Sequence, residues 1–327
     1  MRIGKLCLYL LILLTRLYSA GVSEEPPPLR ILYMPGVADP FYYTLEQGAR
    51  QKAEELGVIL DTAAYPSVWN AEDQVLILEA ALALEEYDLV MIAPVATDAL
   101  IQPLAEIDAR GVKIITVDTK IGDGDYRVPS DWSFPLTHIG TDNVAGGMRL
   151  AEYIAEQVGE RGRIYINTTT PDTSTTEERK EGFVEGIARF PEMEVVRIDY
   201  NGDLQEVAAA QTLAALQDFP DLVGVFGSNV FSSQGISEAV GQTGLSGAVR
   251  VAAWDATESL IEDLRNGRVD VVLAQKPAEM GALAVEYAYR ALTEGRGIPA
   301  KITSGYLLFT PSNLNDPGMA QYVYSRK

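Results

Sequence analysis

Short, nearly uninterrupted apolar runs alternate along almost the whole chain with stretches whose apolar residues recur every third or fourth position. The runs at 30–34, 58–64, 89–93, 112–118, 137–140, 163–167, 194–200, 224–227, 249–254 and 269–275 read as strands. The stretches at 42–56, 71–86, 99–110, 143–159 and 205–218 carry helical spacing. Runs 89–93 and 112–118 are rich in Val, Ile and Ala with little alternation, as parallel strands covered on both faces require. Repeated strand–helix alternation of this kind predicts an α/β protein built of doubly wound parallel sheets. The 327 residues suffice for two lobes with separate cores. The pattern runs to about residue 140, restarts at 143–159 and reaches about 275; a helical stretch at 277–292 and a strand-like run at 305–310 follow. The halves share a pattern but no matched sequence repeat.

Residues 1–21 contain Arg2, Lys5 and Arg16 and no acid, and nine apolar residues run without a break from 6 to 14. A basic start followed by a short apolar core is the layout of an export signal; the run is too short for the ~20 residues of a spanning helix. Small residues at Ser19, Ala20 and Gly21 suit cleavage, with an uncleaved anchor as the alternative. The expectation is a signal peptide over 1–21, a polar Pro-rich leader over 22–29 and an extracytoplasmic, soluble protein. Cleavage would leave 23 basic residues against 46 acidic ones and remove Cys7, the only cysteine, so no disulfide framework is available.

The formal charge of −20 argues against nucleic acid, whose phosphates need a basic face. One His and one Cys leave no material for a Cys/His zinc site, and a His-based triad has only His138 to draw on, which reads better as structural. Gly122-Asp-Gly-Asp125 lacks the third Gly of a dinucleotide loop, and the acids at 123, 125 and 131 lack the spacing of a calcium loop. No catalytic or cofactor motif emerges. The loop 120–135, containing Trp132, is long for a compact domain, and such loops tend to be functional or mobile.

The informative residues lie just beyond strand ends, where open α/β sheets hold their ligands. Asp39-Pro40-Phe41-Tyr42 follows the first run, Asp118 ends the fourth, Asn229 follows 224–227, Trp254-Asp255 ends 249–254, and Gln275 ends 269–275. Fixed carboxylates and amides beside flat aromatic rings suit a polyhydroxylated ligand, whose hydroxyls donate and accept and whose C–H faces stack on rings. Each residue also has a structural reading. Asp39 before Pro40 makes a helix N-cap, Asp255 with Glu258 resembles a capping box, Asn229 can cap the next helix, and Phe41 and Trp254 can be core.

Taken in order, these segments resemble type 1 periplasmic sugar-binding proteins. The resemblance is carried by Asp39-Pro-Phe-Tyr, Ile92-Ala-Pro-Val with Asp98-Ala-Leu, Ile115-Thr-Val-Asp118, Gly140-Thr-Asp-Asn143-Val-Ala-Gly-Gly147, Glu178-Arg-Lys-Glu-Gly-Phe183, Trp254-Asp255 and Ala274-Gln275-Lys-Pro, over about residues 30–312. It is strongest to the ribose-binding branch of ABC-importer receptors. It implies two lobes joined by a three-strand hinge, with 30–140 and 276–304 in the first lobe, 141–275 and 305–327 in the second, and crossings near Thr141, Gln275 and 303–306. The ligand set it implies is Asp39, Phe41, Tyr42 and Asp118 from the first lobe, Asn229, Trp254 and Asp255 from the second, Gln275 at the hinge, and Glu177. Ala93, Thr119 and Glu177 stand where ribose binders carry polar or Arg side chains, which disfavours ribose itself and leaves the site rich in acceptors. Trp69 and Trp132 are further candidates for stacking. The implied function is capture of a carbohydrate or polyol by hinge closure, without catalysis or cofactor, and delivery to an ABC permease; a chemoreceptor or histidine kinase is the alternative partner.

Overall fold

The computed structural model describes residues 27–324; the expected signal segment lies outside them. Its first half begins with β1 (Arg30–Met34), α1 (Pro40–Leu56), β2 (Ile59–Thr62) and α2 (Ala71–Leu82). β3 (Leu89–Ile92), α3 (Ile101–Ala109), β4 (Lys113–Val117) and β5 (Thr137–Thr141) complete it. The second half repeats this course as α4 (Asn143–Val158), β6 (Arg161–Thr168), α5 (Ser174–Ile187), β7 (Glu192–Tyr200), α6 (Gln205–Asp218) and β8 (Leu222–Gly227), then α7 (Val230–Thr243), β9 (Arg250–Trp254), α8 (Glu258–Arg265) and β10 (Val271–Ala274). α9 (Pro277–Thr293), β11 (Lys301–Ser304) and β12 (Leu307–Phe309) close the chain.

The strands form two six-stranded sheets, ordered β11-β5-β4-β3-β1-β2 and β12-β10-β9-β8-β6-β7. All neighbours are parallel except β10 and β12. The two orders are one topology used twice, with switch points between β1 and β3 and between β6 and β8. Loops leaving neighbouring strands there diverge and open a crevice. This is the expected two-lobed α/β fold. The chain passes between the sheets after β5, after β10 and between β11 and β12; the run expected as a strand at 305–310 holds β12, entered just after that last passage, while β11 before it was not expected.

Helices cover both sheets, and in each half two of them meet through paired glycines. A Cβ on Gly281 of α9 would lie 2.1 Å from the Leu45 carbonyl oxygen of α1, and one on Gly48 of α1 would lie 2.0 Å from that of Ala278. Gly147 of α4 and Gly182 of α5 stand in the same relation to the carbonyls of Arg179 and Val144, at 2.2 and 2.0 Å. These contacts seat α9 on the first lobe although it follows the last long strand of the second.

Loop 120–135 is packed down. Ile121 and Tyr126 are buried in the first lobe's core, Tyr126 Oη lies 2.8 Å from Thr116 Oγ1, and Trp132 covers Gly122 while its Nε1 donates to Asp123. His138 is buried against Thr116, and burial lowers its pKa to about 3, so it sits neutral in the sheet.

Candidate functional site

The carboxyl ends of the two sheets face one another, and each contributes an Asp in the same strained turn. Asp118 follows β4 with φ 61° and donates its N–H to Ile139 of β5; Asp255 follows β9 with φ 78° and donates to Leu273 of β10, both at 2.8 Å. Positive φ is uncommon for a residue with a Cβ and concentrates at functional sites. Here it turns a carboxylate off the strand end into the space between the lobes.

Asp118 Oδ2 accepts the Tyr42 hydroxyl at 2.8 Å. Its Oδ1 is buried without a hydrogen-bond partner, with Arg179 Nη2 at 3.7 Å. Asp255 Oδ1 accepts from Gln275 Nε2 at 2.8 Å and from Tyr324 Oη at 3.2 Å. Gln275 in turn accepts the Thr141 hydroxyl at 2.8 Å, tying together two strands where the chain crosses between lobes.

Asp39 and Asn229 serve two roles at once. Asp39 Oδ1 caps α1 through the Tyr42 N–H, and Asn229 Oδ1 caps α7 through the Ser232 N–H, each at 3.0 Å. Both also line the cavity, where Asn229 Nδ2 donates to Asp203 at 2.6 Å. α8 is capped instead by Thr257, so the Asp255 carboxylate is not spent on a capping box.

These groups line a cleft between the lobes, walled by Phe41, Tyr42 and Trp69 on the first lobe and by Thr169, Thr173, Thr175, Thr176 and Val230 on the second. Four carboxylates face it, from Asp39, Asp118, Asp203 and Asp255, against one guanidinium from Arg179. Burial raises the pKa of all four. Asp118 rises to about 6, with Arg179 and Tyr42 pulling it down and Asp255 pushing it up. Asp203 also rises to about 6, opposed by the Asn229 amide. Asp39 is pushed well up and Asp255 up. Among the described residues no group of three or more His, Cys, Asp or Glu is placed to hold a metal.

The expected residues Asp39, Phe41, Tyr42, Asp118, Asn229, Asp255 and Gln275 all line this cavity, as does Trp69. Glu177 does not: its carboxylate pairs with Lys180 and the Tyr200 hydroxyl on the outer side of α5. The guanidinium thought absent from that segment is Arg179, 3% exposed, which donates from Nε to Asn143 and from Nη1 to the Ser228 carbonyl. Trp254 is wholly buried in the second lobe's core, and its ring lies 4.5 Å beneath the Arg179 guanidinium, which it supports from behind. Trp132 lies in the packed loop. Asp203 and the Thr cluster were missed, although both follow strand ends, after β7 and β6.

Residues 31–297 match the family model described as a periplasmic binding protein domain. A solved ABC transporter solute-binding protein from Agrobacterium vitis, bound with α-D-tagatopyranose, is 39% identical, with a TM-score of 0.88 over 91% of this chain and 100% of that one. The D-allose-binding periplasmic protein of Escherichia coli is 26% identical over 80% of this chain and 84% of its own. A ribose import binding protein of Salmonella typhimurium is 28% identical over 80% and 84%. With both sheets, their switch points and the enclosed cavity in place, the chain belongs to the periplasmic binding protein family, in its two-lobed type 1 form, among the solute-binding proteins of ABC transporters.

Proposed function

We propose that this protein captures one hydroxyl-rich monosaccharide or polyol between its lobes and hands it to an ABC permease on the outer side of the cytoplasmic membrane. The observation that carries the reading is the buried Oδ1 of Asp118, which has Arg179 at 3.7 Å but no hydrogen bond and faces a cavity otherwise lined by carboxylates, amides and aromatic rings. A buried acceptor without a hydrogen bond is costly, and a ligand hydroxyl satisfies it. The chemistry of the lining, carboxylates and amides beside aromatic rings, suits a single sugar ring. Asp39, Asp203 and Asp255 supply further acceptors, Arg179 and Asn229 donate, and Phe41, Tyr42 and Trp69 receive the apolar faces of the ring. Asp118 and Asp255 act as fixed acceptors in this reading, with no bond made or broken. The relatives named for import, together with the tagatose-bound structure at 39% identity, support delivery to a permease over a sensor partner.

Thermal unfolding against D-tagatose, D-allose, D-ribose, other pentoses and hexoses, and polyols tests this. A ligand at a hundredfold its Kd adds about 2.7 kcal/mol, a shift of several degrees. The expected result is a shift confined to one stereochemical class and absent in D118A. A flat panel overturns the sugar assignment.

A further inference from the structure

We infer that the C-terminal tail completes the ligand site from behind, with Tyr324 as the positioning residue that holds the Asp255 carboxylate against the hinge. The inference rests on the cavity being the sugar site. After β12 the chain runs through turns and a 3₁₀ segment, Ala320–Tyr322, before returning to the second lobe, where the Tyr324 N–H donates to the Ala256 carbonyl at 2.8 Å. Between 311 and 324 one residue alone is buried, and it is Tyr324. The excursion therefore buries one side chain fully, with Leu314, Met319, Tyr322 and Val323 packed half-buried against the core around it.

That side chain meets three parts of the site. Its hydroxyl accepts the Gln275 backbone N–H at 2.8 Å, which leaves its own proton to donate to Asp255 Oδ1 at 3.2 Å. Its ring packs edge-on against Phe41, with centroids 5.8 Å apart, so it also touches the first lobe's wall of the cavity. With Gln275 Nε2 on the same oxygen, Asp255 Oδ1 is saturated and the carboxylate plane is set, leaving its remaining lone pairs for the ligand. A donor to an ionised carboxylate favours the ionised form. The Gln275 amide, the Val230 N–H and Arg179 act with Tyr324; burial opposes them, as do the carboxylates of Asp39, Asp118 and Asp203 that share the cavity.

Tyr324→Phe removes the hydroxyl and keeps the ring. Two readouts separate positioning from bulk structure: the carbon-13 titration of the Asp255 carboxyl in the ligand-free protein, assigned with D255N, and D-tagatose affinity by calorimetry. In Y324F the Asp255 midpoint should move up, and D-tagatose should bind roughly tenfold or more weakly. Difluorotyrosine at 324, a stronger donor of the same shape, should move the midpoint the other way, and it decides the matter if Y324F folds poorly. An unmoved Asp255 titration in both proteins overturns the inference, as does an affinity within twofold of wild type. A wild-type protein that ignores D-tagatose counts against that sugar as ligand, and the titration then decides the role of Tyr324 alone.

Discussion

Asp203 carries a conflict between stability and binding that is resolved only when a ligand is present. Its carboxyl is buried and its pKa is raised to about 6, chiefly by that burial; the Asn229 amide lowers it and Asp255 raises it. In the unfolded chain the same group titrates near its ordinary value of about 4. Between those values the native state holds a proton that the unfolded state lacks, so this group's contribution to stability falls as pH rises through the window. Above about pH 7 the penalty is complete. D203N should therefore melt several degrees higher than wild type at pH 7.5, with the gain vanishing by pH 4, while the ligand-induced shift is lost. A variant that melts lower at pH 7.5 would contradict this account. For the wild type, a ligand that donates to ionised carboxylates should bind progressively more weakly as pH falls below about 6. Most of these side chains were legible because strand ends mark ligand sites wherever they fall. Arg179 was displaced by two positions in favour of Glu177, yet Phe183 one helical turn later is buried on the same face, and that spacing points inward.

Elements were legible where burial is apolar and obscure where it is not. β3 and β4 announced themselves through Val, Ile and Met. By contrast α5 and α7 were not anticipated from apolar spacing, and α8, though it buries Leu260, Ile261 and Leu264, is only eight residues long. The buried face of α5 includes Thr175, Thr176, Arg179 and Gly182, and that of α7 includes Ser232, Ser233, Gly235 and Ser237. Such faces look polar because they line the cavity or allow close helix approach. The glycine pairs give this a measurable form. A methyl group on Gly281 or Gly147 meets a carbonyl oxygen inside van der Waals contact, so the helices must part. G281A and G147A should each cost about 1–3 kcal/mol, read as a lower urea midpoint at unchanged m-value. Gly297 and Gly318 have nothing within 4 Å of an added Cβ, and alanine there should shift stability by less than about 0.5 kcal/mol. Equal effects at all four positions would mean that backbone entropy, not helix approach, sets the cost.

At the scale of the molecule, the lobes touch twice over: at the hinge through Thr141, Gln275 and Tyr324, and at the opposite lip. Across the lip Trp69 Nε1 donates to Thr173 Oγ1 at 3.1 Å, Thr97 Oγ1 donates to the Asp172 carbonyl at 3.0 Å, and Lys120 pairs with Glu178. Glu178 also accepts from Asn143, which accepts from Arg179, so the lip is wired to the cavity floor. A ligand closes such a hinge only by making more favourable contacts in the closed form, and lip contacts that exist only when closed add to the barrier against release. Trp69 is the sharpest probe, because it belongs to both lip and cavity and stacks on Tyr42, with ring centroids 6.5 Å apart. W69F keeps an aromatic face for the sugar and removes the N–H that reaches Thr173. One neutral hydrogen bond contributes about 0.5–1.5 kcal/mol, so ligand dissociation should speed up by about two- to tenfold. Association begins on the open form, where that bond is not made, and its rate should hold. Stopped-flow fluorescence separates the two rates. A loss in the association rate instead would mean that Trp69 acts on the first encounter with the sugar, and that the lip does not latch the closed state.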